Sequence, residues 1–148
     1  MESLQAKLGE PDLKLSGLQI WIHNRQCPND HDYWDGNWLD VTVLCRALNA
    51  SVWTNGSIIH LSEIAQWLKE VEAMAISLQG EASLSCLEPK LSVTLEAKNF
   101  GHISMDVYIT PDLSQRHEFT FEIDQSYLPL LIRNCRTILK QYPIKGQP

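Results

Sequence analysis

Apolar residues at every second position mark most of this chain as strand. Leu18, Ile20 and Ile22 alternate with Gln19, Trp21 and His23, and Leu39, Val41, Val43, Cys45 and Ala47 alternate with Asp40, Thr42 and Arg46. Residues 24–32 between them are polar, contain Pro28 and read as a surface loop. Val52-Trp53-Thr54 and Ser57-Ile58-Ile59-His60 flank Asn55-Gly56. That pair predicts a type I′ hairpin turn, which needs positive φ at both central residues. Further strands are expected over 82–87, where the signal is faintest, and at Leu91, Val93, Leu95 and Ala97. Two more follow, at Ile103, Met105, Val107 and Ile109, and at Phe119, Phe121 and Ile123. Asn99-Phe100-Gly101 and Pro111-Asp112 supply turns between these.

Two stretches switch to the helical period. Ile64, Trp67, Leu68 and Val71 recur at i, i+3, i+4 and i+7 behind Ser62, a good N-cap, with Glu63 in the first turn. The pattern fades near Ser77, and Gly80 is an expected break. A second helix opens between Asp124 and Ser126 and takes Pro129 in its first turn, where a missing N–H costs little. Leu128, Leu131, Ile132, Cys135, Ile138 and Leu139 form its apolar stripe; Arg133, Arg136 and Lys140 lie toward its negative end, and Pro143 stops it. Each half of the chain thus runs through strands into a capped helix, although identity between the halves is too low to claim a duplication. The expected fold is α+β: a single domain over 1–148 with its core at about 15–142 and short tails. It should hold a curved antiparallel sheet of about six or seven strands, with two helices packed on one face.

Charge narrows the partners. The 18 Asp and Glu outnumber 12 Lys and Arg, for a net charge of −6, which argues against a nucleic-acid or anionic-membrane partner. A hydrophobic content of 44% excludes a disordered chain. The apolar runs are far shorter than the ~20 residues a membrane-spanning helix needs. Residues 1–14 carry no apolar signal core, and the cysteines at 27, 45, 86 and 135 form no paired motif, so reduced thiols in the cytoplasm are expected.

The densest chemistry is Asp30-His31-Asp32-Tyr33-Trp34-Asp35-Gly36-Asn37-Trp38, ahead of the second strand. No Lys or Arg lies between Arg25 and Arg46, so its carboxylates have no counter-charge nearby in sequence. A structural reading makes Asp35, Gly36 and Asn37 a tight turn, with Gly36 supplying positive φ. A contact-surface reading assigns Asp30, Asp32, Tyr33, Trp34 and Trp38 to a partner, the aromatics as stiff anchors and the aspartates facing basic groups. On that reading Asp30 and Asp32 lie outside the turn. Stacking of a small molecule or carbohydrate on Trp34 and Trp38 is an alternative. A weaker one is a metal-dependent hydrolase built on Asp30, His31, Asp32 and Asp35, whose spacing departs from an EF-hand loop. The other histidines, 23, 60, 102 and 117, stand singly without zinc-site spacing. No G-x-S-x-G, G-x-x-x-x-G-K or G-x-G-x-x-G occurs, and nothing marks Cys27 as an activated thiolate. No catalytic, cofactor-binding or metal-binding residue is assigned.

Two stretches carry a family resemblance: Asp32-Tyr33-Trp34-Asp35-Gly36-Asn37-Trp38-Leu39 opening a strand, and Asp124-Gln125-Ser126-Tyr127-Leu128-Pro129 entering the last helix. Gly80-Glu81-Ala82 and Gly101 ahead of Ile103-Ser104-Met105-Asp106-Val107 add to it. Over residues 15–142 the chain resembles the WapI family of immunity proteins, which neutralise contact-dependent bacterial toxins. The resemblance implies a non-enzymatic protein that blocks a cognate toxin domain, a basic one such as a nuclease. It transfers no catalytic residues.

Overall fold

The computed structural model describes residues 4–148. A short helix α1 (Leu4–Leu8) precedes strands β1 (Leu13–Leu15), β2 (Leu18–Arg25), β3 (Trp38–Ala47) and β4 (Ala50–His60), then helix α2 (Leu61–Ser77). Strands β5 (Glu81–Ser85), β6 (Leu91–Ala97), β7 (His102–Ile109) and β8 (His117–Asp124) follow, and a 3₁₀ turn over Gln125–Tyr127 leads into helix α3 (Leu128–Gln141). The strands form two four-stranded antiparallel meanders, β1-β2-β3-β4 and β5-β6-β7-β8. The α+β class stands, but the single sheet of six or seven strands does not. Alternation tells which residues form strands and not which strands pair. Here α2, 17 residues and so about 25 Å long, carries the chain away from β4 before β5 begins.

The two meanders repeat. A displacement of 64 residues sets Leu39, Val41, Val43 and Cys45 of β3 on Ile103, Met105, Val107 and Ile109 of β7; Leu39 opposite Ile59 matches Ile103 opposite Ile123, and a bulge then shifts the rest of the β3–β4 pairing by one residue. The same displacement sets Ile64, Trp67, Val71 and Met74 of α2 on Leu128, Leu131, Cys135 and Ile138 of α3, and all sixteen side chains are buried. Each helix covers the first strand of the other unit, α2 against β5 and α3 against β1. The helices also close those edges chemically. Glu70 accepts from the Ser83 N–H (2.8 Å), Trp67 Nε1 donates to the Ala82 carbonyl (3.3 Å), and Asn134 accepts from the Lys14 N–H (3.2 Å). Covering an edge in this way prevents unwanted strand pairing.

Three local expectations are corrected. Asn55-Gly56 does not turn: β4 runs through it, and the hairpin is closed by Leu48-Asn49 between the paired Ala47 and Ala50. Asn49 takes the positive φ (64°), which asparagine tolerates. The α2 N-cap is His60, not Ser62, and the helix ends through Leu78 at φ 54° before Gly80 is reached. The ordered core also extends past 15–142. Leu13 is buried, Trp21 Nε1 donates to the Gly9 carbonyl (2.9 Å), and residues 143–146 pack against the β2–β3 loop. Among the described residues no helix is long and apolar enough to cross a membrane.

All four cysteines are free, Cys45 and Cys135 within the core. Burial pushes both thiols up to about 12 from an ordinary 9.0. A thiol raised in the fold stays protonated there while the unfolded chain ionises near 9, so the stability it contributes is complete below that pH and is lost as pH rises toward 12. Thermal melts should therefore decline between pH 9 and 11, and the double variant Cys45→Ala/Cys135→Ala should flatten that decline while starting from a lower Tm. An unchanged slope would assign the decline to other groups.

Candidate functional site

The corresponding connections of the two units differ in length, most of all between the second and third strands of each. Residues 98–101 link β6 to β7 by a tight turn, whereas residues 26–37 make a long excursion between β2 and β3. An insertion confined to one copy of a repeat is a place to look for function. It carries the aromatic and acidic residues singled out above and lies beside the start of α2.

Within it, residues 32–36 form one helix-like turn. The Gly36 N–H donates to the Asp32 carbonyl (2.8 Å), and the Asp32 carboxylate accepts from the N–H groups of Trp34 (3.0 Å) and Asp35 (3.1 Å). Asp32 therefore caps the turn from within, instead of lying outside it alongside Asp30. Gly36 is not at positive φ, which corrects the reason given for it. A Cβ there would sit 2.6 Å from the Asp32 carbonyl oxygen and 2.7 Å from that of Asp30. Glycine is needed for close backbone approach. Gly36→Ala should cost about 2 kcal/mol by urea denaturation, as overpacking against fixed backbone does.

Asn37 is the keystone beneath the turn. Fully buried, it uses its whole hydrogen-bonding capacity. Its Nδ2 donates to the carbonyls of Tyr33 (2.7 Å) and Lys145 (2.9 Å), and its Oδ1 accepts from Arg25 Nη1 (3.1 Å) and the Lys145 N–H (2.9 Å). Arg25, nearly buried, donates further to the carbonyls of Gly36 (2.8 Å) and Pro143. Desolvation by burial lowers its pKa from the ordinary value, while Tyr142 acts in the opposite sense. Lys145 Nζ reaches the carbonyls of Pro28 (2.7 Å) and Asp30 (2.8 Å). The cations missing from the local sequence thus come from Arg25 and from beyond α3, and both engage backbone oxygens.

The aromatic side chains gather on His60. Its Nδ1 accepts from the Ser62 N–H (3.2 Å), so the network assigns the proton to Nε2, which donates to the Tyr33 carbonyl (3.1 Å). Glu63 completes the cap by accepting from the His60 N–H (2.7 Å), and its other oxygen accepts from Leu87 N–H (2.6 Å). Trp38 meets the imidazole edge-on (5.1 Å, 81°) and Tyr33 meets Trp34 edge-on (5.0 Å, 87°). Tyr33 and Trp38 are half-buried. Trp34 remains 55% exposed, and Asp30, His31, Asp32 and Asp35 are exposed around it. The result is one aromatic knob ringed by carboxylates on a fixed base.

That arrangement bears on the other readings. The crossed rings leave no pair of parallel indole faces for a sugar. Asp30, His31, Asp32 and Asp35 do not converge on a point, and among the described residues no three His, Cys, Asp or Glu side chains form a metal-holding group. Desolvation, followed by Asp30 and Asp35, raises the Cys27 thiol above its ordinary value, opposite in direction to the lowering that activates a thiolate. Sequence reasoning missed Arg25, His60 and Lys145. His60-x-x-Glu63 carried a faint capping-box signal; nothing in the sequence pointed to Lys145.

No curated protein and no solved structure matches this chain. A family profile described as the Immunity protein WapI-like family matches residues 12–143. That span takes in both meanders, both long helices and the whole knob-bearing loop, and so the chain belongs to the WapI-like immunity protein family.

Proposed function

We propose that the protein is a non-enzymatic immunity module that binds a cognate toxin domain in the cytoplasm and neutralises it by occlusion. Family membership carries this reading, because an immunity protein implies a toxin partner. The loop over 26–37 is the contact surface in this account. Trp34 inserts as the anchor, Tyr33 and Trp38 support it, and Asp30 and Asp35 present charge to a basic toxin such as a nuclease. Asp32, whose carboxylate is engaged by the loop's own N–H groups, shapes the surface.

Physical chemistry favours such a platform. A large aromatic on a base already held by buried hydrogen bonds loses little conformational freedom on binding. The net charge of −6 steers a basic partner and raises the encounter rate, most at low salt. The reading expects a toxin domain encoded directly upstream of this gene, and the test uses that domain. Co-expression should protect cells from it, and Trp34→Ala should speed dissociation at least tenfold while leaving the melting temperature unchanged. Asp30→Asn should slow association at low salt and much less at high salt. Full protection and unaltered kinetics in both variants would remove the loop from the interface. Failure of the wild-type protein to protect would reject the immunity reading for that toxin.

A further inference from the structure

Of the four sheet edges in the molecule, the outer edge of β8 stands apart. The β1 and β5 edges are closed by Asn134, Glu70 and Trp67. The β4 edge is interrupted by Gly56 at φ 137° and by a register shift against Leu39 and Asp40. β8 pairs with β7 without any shift from His102–Asp124 to Ile109–His117, and contains no Gly, Pro, Lys or Arg. Among the described residues, no group other than β7 bonds the backbone of 117–123. Natural edges are normally blunted by a bulge, a proline, charged side chains or a covering element. This one has only charge, and all of it is acidic.

Its side chains define what could pair there. Glu118, Thr120 and Glu122 are exposed on the outer face, and Phe119 and Phe121, stacked at 6.2 Å, are half-buried on the inner one. Strands β5 to β8 together hold six acidic residues and no Lys or Arg, and Lys98 just beyond β6 is engaged by Glu96 (3.0 Å). A second copy pairing antiparallel about Thr120 would set Glu118 against Glu122 twice, which disfavours self-association. An extended segment with basic residues opposite Glu118 and Glu122, and β-branched residues over the two phenylalanines, meets no such conflict.

We infer that the β8 edge is a strand-addition site for an extended basic segment of another protein, of the pattern Lys-Val-Thr-Val-Lys. Main-chain hydrogen bonds supply affinity and the alternate glutamates supply selectivity. This inference does not depend on the immunity reading or on the loop. The probe is an acetylated, amidated Lys-Val-Thr-Val-Lys peptide, titrated to millimolar concentration against the full chain while amide exchange is followed by NMR. Exchange at the outward N–H groups of 117–123 should slow at least fivefold. The same peptide N-methylated at the backbone nitrogens of its threonine and lysines, which face the outward groups of 118, 120 and 122, should give no slowing. In Glu118→Lys/Glu122→Lys the preference should pass to Glu-Val-Thr-Val-Glu. The inference is overturned if the N-methylated peptide acts equally well, if no β8 amide responds, or if β8 amides gain protection with protein concentration alone, which would make a second copy the occupant.

Discussion

Asn37→Leu is expected to lower stability by roughly 4 kcal/mol and Tm by about 10 °C. The substitution keeps the branching of the side chain but adds bulk, and it strips four hydrogen bonds from a site without solvent. It leaves the Lys145 carbonyl, the Lys145 N–H and one Arg25 N–H to find other partners, and the Tyr33 carbonyl with His60 alone. Arg25 suffers most, since its buried guanidinium is compensated by neutral oxygens. The isosteric Asn37→Asp isolates the donor side. It retains the acceptor facing Arg25 and Lys145 but sets a carboxylate oxygen against two carbonyls, so it too should destabilise strongly at pH 7. Circular dichroism melts and urea titrations read both effects. A loss below 1 kcal/mol in both variants would mean that the segment 143–146 is not anchored to the loop through Asn37.

Trp67→Ala should be comparably damaging, at about 3–5 kcal/mol. Trp67 is completely buried on α2, where its ring faces the core and its Nε1 bonds the Ala82 carbonyl of β5. It therefore joins the first unit's helix to the second unit's first strand. Truncation opens a cavity at the seam and orphans a carbonyl on an edge strand. Trp67→Phe fills most of the space but makes no hydrogen bond, and should cost about 1–2 kcal/mol, separating the polar part from the packing. If Trp67→Ala unfolded in two steps, the units would be stable apart; the shared core predicts one transition.

Local period was legible in the sequence wherever apolar residues alternated or recurred at helical spacing. Strands β2, β3 and β5 to β8 and both long helices follow from it, including the faint β5, whereas β4 reads as two strands about a turn. Pairing was not legible. Nothing in Glu81-Ala82-Ser83-Leu84 tells that its neighbour across the edge is Glu70 of a helix and not His60 of a strand. Asn55-Gly56 misled because turn propensity is a local preference, and burial of Thr54, Ile58 and Ile59 in one strand outweighed it. In the loop, composition alone marked Asp30 to Trp38 as unusual, and the capping geometry then divided its carboxylates. Asp32 serves the turn and Asp30 stays outward. The long-range members, Arg25 and Lys145, could not be read, because apart from Asn37 their side chains bond backbone carbonyls, which leave no trace in residue type.

The central claim is that the loop over 26–37 is the toxin-facing surface. A hydrogen-exchange footprint of the cognate toxin domain on the wild-type protein tests it most directly. The account predicts added protection concentrated at residues 30–38 and the adjoining start of α2, with the helix seam around Trp67 unchanged. Protection confined to sheet β5 to β8, with the amides of Tyr33 to Trp38 exchanging as in the free protein, would contradict it.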